Sequence, residues 1–247
     1  MPLCGGPGGD PQVHIRAGGR ERKAFLGGFG RKTTELTWLG HACFRIRGKE
    51  ATTITDPFDK ESGYSLGKPT ANIVTVSHPH PHHSYLAGVG GSPRIIRGPG
   101  EYEVANTFIT GIPTYHDAHR GKERGCNTVY MVEIDDLVVC HLGDLGHLPS
   151  VGQLEEMSGV DILLVPVGGV STINATTASE LISFLEPKIA IPMHYKTDAY
   201  KGELEPLDRF LKEMGLKKEK VIPEPKLNAT RSSLPQATQV VVLDYRR

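Results

Sequence analysis

Cysteine is sparse in this chain. Cys4, Cys43, Cys126 and Cys140 are the four among 247 residues, and no two stand in a C-x-x-C pair. That density excludes a disulfide framework and suits a reduced, cytoplasmic protein with Cys43 and Cys140 as small core residues. Long apolar runs are missing too: none approaches the ~18 residues of a membrane span, and the N-terminus has no apolar stretch to serve as a signal peptide. Excess charge is also absent. Lys+Arg and Asp+Glu both count 28, a balance that argues against a nucleic-acid or acidic-membrane partner. No internal repeat is evident.

Apolar residues make up 38% of the chain, with 29 glycines and 18 prolines, enough for a sizeable core interrupted by many turns. Residues 1–31 stand apart. "CGGPGGD", "RAGGRER" and "LGGFGRK" carry no sustained period and too little apolar surface to offset the entropy of ordering them. This segment reads as a flexible Gly/Arg-rich arm ahead of a single domain over 32–247.

From Thr34 the pattern changes to short β-branched runs broken by turn residues. Strands are expected at Glu35–Leu39, Ala42–Arg47, Ala51–Thr55, Ala71–Ser77, Arg94–Arg97, Asn106–Ile112, Asn127–Ile134, Asp136–His141, Asp161–Val167, Lys188–Met193 and Gln239–Asp244. "EIDDLVV" offers an Asp-Asp hairpin turn. Two helices follow from apolar spacing. One puts Ala178, Leu181, Ile182 and Leu185 on one face, with Thr177 and Glu180 as a capping box and Pro187 as its stop. The other carries Leu207, Phe210, Leu211 and Met214, with Gly215 at its C-terminal end. Strand–helix–strand order late in the chain makes this an α/β protein with helix-covered sheets.

The stretch "SHPHPHHS" places His78, His80, His82 and His83 directly after "ANIVTV", a run without alternation, as expected of a strand buried on both faces. Ligands gather at the carboxyl ends of strands in α/β proteins. Pro79 and Pro81 hold His78 and His80 extended, so both side chains project to one side. Pro81 also favours the first turn of a helix over "HHSYLAGVG". A solvated histidine tract would instead sit in polar, low-complexity surroundings. Downstream, His116 ends "NTFITGIPTY", His141 and Asp144 follow "DLVVC", and His194 follows "KIAIPM". Four β-runs ending in His or Asp suit a zinc-type site, although each alone is unremarkable. His119 and His147 fall in Gly- and Asp-rich loops where exposure is the default. Asp56 before Pro57 reads as an Asx-type turn. Lys122, Arg124 and Lys196 are candidate contacts for an anionic substrate, against the common case of solvated loop charges.

In the order "HPHPHH", "PTYHD", "HLGD" and "PMHY", with "TWLGHACFRI", "TDPF" and "VPVGG" around them, the chain resembles the metallo-β-lactamase superfamily, in its branch of ascorbate-6-phosphate lactonase-like Zn-dependent hydrolases. The resemblance implies a four-layer αβ/βα sandwich with the metal site at one edge between two sheets. It implies one or two divalent ions, Zn2+ foremost and Mn2+ or Fe2+ as alternatives. His78, His80 and His116 would hold one ion, His83 and His194 a second, and Asp144 would bridge them. The family places an aspartate where this chain has His82, and that aspartate ligates the second ion and accepts a proton from the attacking water. A histidine there ligates with a longer, neutral side chain and leaves two divalent ions less neutralised. Alternatively, His82 acts as general base.

The implied activity is hydrolysis of an ester, lactone or phosphodiester bond in a small anionic substrate, with His82 and Asp144 catalytic. The rival is a non-catalytic metal-binding or ligand-sensing protein of the same fold. His41 in "LGHAC" is expected at the site from an early loop as a substrate contact, against the alternative of a structural turn histidine. The expected partner is a small molecule, and a homo-oligomer is left open.

Overall fold

A computed structural model describes residues 32–245. The arm expected at 1–31 lies outside them. Two mixed β-sheets form the frame. The first holds β1 (Thr34–Gly40), β2 (Cys43–Arg47), β3 (Thr52–Thr55), β4 (Ile73–Val76) and β5 (Arg94–Arg97) in sequence order. The late strand β12 (Leu227–Ala229) pairs antiparallel with β1 at its edge, Thr34 opposite Ala229. The second sheet runs from β6 (Gly100–Val104) through β7 (Thr107–Tyr115), β8 (Cys126–Ile134), β9 (Leu137–His141), β10 (Ile162–Pro166) and β11 (Ile189–Met193) to β13 (Gln239–Val240).

In each sheet an antiparallel half passes into a parallel half: β3, β4 and β5 are parallel in the first, and β9, β10, β11 and β13 in the second. Parallel strands bury both faces and read as continuous apolar runs. Accordingly, every residue of β4, β10 and β11 is buried. The Asp-Asp hairpin forms as expected: Ile134 pairs with Leu137, and Asp135 and Asp136 both take positive φ, as a two-residue hairpin turn matched to strand twist requires.

Alternation in the first sheet sends Trp38, Phe44, Ile46 and Ile73 into the main core shared with the second sheet. Leu39, Cys43, Ile54, Val74 and Val76 point the other way, under Phe58, Tyr64 and Leu66. Cys43 and Cys140 are both free and buried. Helix α2 (Ala175–Leu185) lies on β10 and against α3 (Leu207–Glu213). Its buried Ala178, Leu181, Ile182 and Leu185 are the expected face, each large side chain worth about 1.5–3 kcal/mol of burial. These layers make the α/β sandwich.

Some expectations need correction. Asn174 caps α2 by accepting from Thr177 N, so the helix starts two residues before the expected Thr177 cap. No α-helix grows from Pro81. His83 N bonds His80 O at 2.8 Å to close one turn, but Tyr85 N turns away to Pro57 O at 2.8 Å, and only a single 3-10 turn follows at Leu86–Gly88. Strands β6 and β12 and helix α1 (Val151–Glu156) were not anticipated. Among the described residues, no helix is long and apolar enough to cross a membrane.

Candidate metal centre

The switch from antiparallel to parallel pairing brings strand ends from both sheets to one edge. The segment after β4 delivers His78, His80 and His83; His116 follows β7, Asp144 lies beyond β9, and His194 follows β11. His41 comes from the tight β1–β2 turn, and Asp56 from the end of β3. The parallel register Thr55↔Thr75 sets Asp56 beside Ser77. Gly143 allows the close approach that seats Asp144: its φ is 57, and a Cβ there would lie 2.5 Å from Asn127 Oδ1 and 2.6 Å from Ser77 Cβ. The same Asn127 Oδ1 accepts from Asp144 N at 3.0 Å.

Asp144 is the hub. Its Oδ2 lies 3.2 Å from His116 Nε2, 3.3 Å from His83 Nε2 and 4.0 Å from His78 Nε2, and its Oδ1 lies 3.3 Å from His194 Nε2. Three sets of donor atoms each fall within 4.8 Å of one another: His78, His80 and His83; His78, His116 and Asp144; and His41, His83 and His194. Ligands of one tetrahedral zinc stand about 3.4 Å apart, so small closures suffice. Four imidazole nitrogens (His41 Nδ1, His78 Nε2, His116 Nδ1 and His194 Nδ1) and Asp144 Oδ1 are buried without a hydrogen-bond partner. Buried polar atoms are rarely left unsatisfied. His116 and His194 face Asp144 through Nε2, so their orphan Nδ1 atoms lie on the far side of the ring. It is the unpartnered His78 Nε2 and Asp144 Oδ1 at the hub that fit a bound cation.

Supporting groups fix the imidazoles. Asp56 is fully buried and accepts from Ser77 N at 2.8 Å, Ser77 Oγ at 2.5 Å and His83 Nδ1 at 2.8 Å. The expected Asx-type turn is therefore replaced by a positioning role, since the carboxylate is spent across β4 rather than on its own backbone. Ser77 Oγ also meets His78 Nδ1 at 2.9 Å, so one carboxylate orients two neighbouring imidazoles, a common arrangement behind metal ligands. No local signal marks Asp56; only the parallel pairing does.

Electrostatics follow from this packing. Burial alone would raise Asp144, but the imidazoles of His194 and His83 around it hold its carboxyl well below the usual range. Burial alone would lower His83, yet Asp144 and Asp56 on either side push it up to about 10. Burial, reinforced by the His83 charge, brings His78 down to about 3. The metal-free protein at neutral pH thus stores a proton on His83, and a cation ligated there must displace it from Nε2 while Nδ1–H stays with Asp56. The sign is definite: the stability from protonated His83 is complete below its ordinary value near 6.5 and is lost as pH rises through about 10. Metal affinity is expected to rise with pH over that window. Titration calorimetry in buffers of different ionisation enthalpy should record about one proton released per cation bound at His83, and uptake with no proton release would contradict it.

The structure does not bring His82 into the cluster. It is half-buried, its Nδ1 lies 3.0 Å from Asp59 Oδ1, and none of the three donor sets contains it. His141 is buried under the site with Nε2 on Ala42 O at 2.8 Å. His119 is exposed and paired with Glu123, and His147 Nε2 accepts from Tyr115 N. Lys196 Nζ donates to the carbonyls of Tyr200 and Gly202, while Lys122 and Arg124 are exposed.

Two mixed sheets carrying histidines and an aspartate along one shared edge define a metal-site α/β sandwich. The chain belongs to the β-lactamase superfamily: the family model for the β-lactamase superfamily domain matches residues 35–194. It is 27% identical to a UPF0173 metal-dependent hydrolase of Methanopyrus kandleri over 77% of this chain and 96% of the relative. It is 26% identical to one of Pyrococcus horikoshii over 66% and 85%. Among solved structures, a candidate Zn-dependent hydrolase of the metallo-β-lactamase superfamily from Thermotoga maritima is 38% identical. It superposes with a TM-score of 0.71, covering 86% of this chain and all of that one.

Proposed function

We propose that this chain is a metal-dependent hydrolase that cleaves an ester, lactone or phosphodiester bond in a small anionic substrate. One observation carries the reading: four imidazoles converge on the single buried carboxylate of Asp144. The naming of relatives as metal-dependent hydrolases supports it. The finer affinity, to ascorbate-6-phosphate lactonase-like enzymes, draws on "TWLGHACFRI", "TDPF" and "VPVGG".

A divalent cation at this centre, Zn2+ foremost and Mn2+ or Fe2+ as alternatives, supplies Lewis acidity that lowers the pKa of water and polarises the attacked carbonyl or phosphoryl oxygen. His78, His80, His116, His83, His194 and Asp144 are the residues to hold one or two such ions. Asp144, kept ionised by the imidazoles around it, would be the carboxylate they share. His82 gives its Nδ1–H to Asp59, a carboxylate–imidazole pairing of the kind that serves general acid–base transfer. Asp59 also lines a cleft of about 400 Å³ bordered by Phe58, Lys60, Lys68 and Tyr85. The two lysines there favour an anionic substrate, and the exposed Tyr85 ring gives it an apolar rest.

The test is turnover of lactones, carboxyl esters and bis-p-nitrophenyl phosphate by metal-loaded protein. Activity should vanish with a chelator and return with the cation. His82→Ala should lower kcat by about 100-fold with bound metal unchanged. A full metal load with no turnover on any of these substrates would instead favour the rival reading, a metal-holding sensor, for which His82 in place of an aspartate is the supporting feature.

A further inference from the structure

We propose that His41 is a metal ligand: with His83, His194 and the shared Asp144 it forms a second cation position of three imidazoles and one carboxylate, beside a first formed by His78, His80, His116 and Asp144. The proposal rests on the reading of this edge as a metal centre and changes which residue completes it.

His41 is 2% exposed, and its ring centroid lies 4.1 Å from that of His194 and 4.9 Å from that of His83. The donor atoms of these three side chains fall within 4.8 Å of one another. Its Nδ1 is buried with no hydrogen-bond partner, and His194 presents Nε2 to the shared Asp144 at 3.3 Å. A substrate contact would leave the ring facing an opening, whereas this ring is closed in by Tyr200, stacked at 4.9 Å with an interplanar angle of 18°.

The backbone around it is built to hold that place. His194 N and Trp38 Nε1 both donate to the His41 carbonyl, at 3.1 Å and 2.9 Å. His41 and His194 have φ of 53 and 52, the left-handed region that glycine or asparagine occupies with least strain. A β-turn alone gives no reason for histidine at such a position; a ligating side chain does. His82, by contrast, is half-buried and engaged with Asp59.

Chemical consequences follow. Two divalent cations would share one carboxylate among six imidazoles, which leaves the centre strongly electropositive and suited to anionic substrates. An imidazole-rich second position also selects borderline ions such as Zn2+ or Co2+ over oxygen-seeking Mg2+.

The experiment is metal stoichiometry and affinity on the full chain, by elemental analysis and Co2+ titration with visible spectra. The wild type should take two ions. His82→Ala should also take two. His41→Gly, which suits the left-handed backbone, should keep the first ion and bind the second at least about 100-fold more weakly. Added imidazole, entering the space left by the ring, should restore the second ion and its Co2+ spectrum. The retained first ion and an unchanged circular dichroism spectrum report that the variant is folded. A His41→Gly protein that holds two ions with wild-type affinity overturns the proposal, as does loss of the second ion in His82→Ala or a wild type that stops at one ion. A wild type that takes up no metal at all overturns instead the reading of the edge as a metal centre, and this proposal falls with it.

Discussion

Asp144→Asn is expected to abolish hydrolysis, lowering kcat/KM by at least about 1,000-fold, and to empty the centre of tightly held metal. The side chain keeps its size and its backbone bond to Asn127, so the fold has little reason to change. What changes is charge. The carboxylate touches donors from β4, β7 and β11 at once, at 3.2 to 3.3 Å for His116, His83 and His194, and it is the only acid in the three donor sets. An amide there offers one neutral oxygen and points N–H groups at imidazoles or cations. Steady-state rates on any substrate found for the wild type, together with elemental analysis of the desalted variant, check the outcome. Activity within tenfold of wild type would mean that the reaction does not pass through this centre.

The second large effect belongs to a residue outside the donor sets. Asp56→Asn should destabilise the metal-free protein by about 3–5 kcal/mol, because one partner of a buried, hydrogen-bonded charge pair is removed and His83 is left without its match. For a domain of this size that corresponds to a fall in Tm of about 6–20 °C. Metal affinity should drop by about 10- to 100-fold, since His83 and, through Ser77, His78 lose their orientation. The pH dependence separates this from general damage. Burial would raise the Asp56 carboxyl, but its hydrogen bond with the His83 imidazolium brings it below its ordinary value. Its contribution to wild-type stability is therefore present above about pH 4 and fades as pH falls further. The variant has already lost that increment, and its acid limb should be correspondingly flatter. Equilibrium denaturation between pH 3 and 7 measures this; parallel limbs would count against it.

Much of this edge was legible before any coordinates, because its histidines sit where short apolar runs stop. β4, β10 and β11 are buried on both faces and could hardly be anything but strands. Elements held by long-range partners were invisible. β6 is half-exposed and only five residues long, so the alternation of Tyr102 and Val104 with two glutamates in "GEYEV" is too short to stand out without its pairing to β7. Helix α1 buries none of its residues and is marked only by its Ser150 capping box. The site shows the same division. His78 and His194 announce themselves by position, whereas Asp56 acquires its role from a histidine 27 residues away. His82 was expected as a ligand or a general base because it stands where the resembled family has an aspartate. A one-turn bend and the nearby Asp59 draw it aside, and neither is encoded in the histidine comb.

The pairing of β1 with β12 has a bearing on biosynthesis. Residue 34 finds its neighbour only when residue 229 has left the ribosome, and His194 must emerge before the ring around Asp144 can close. The amino-terminal sheet therefore waits, incomplete at one margin, for most of the synthesis time. Such distant pairing slows folding, so the centre closes only after β11 has been made, and a chain cut short before β12 would present the bare margin of β1 to other molecules.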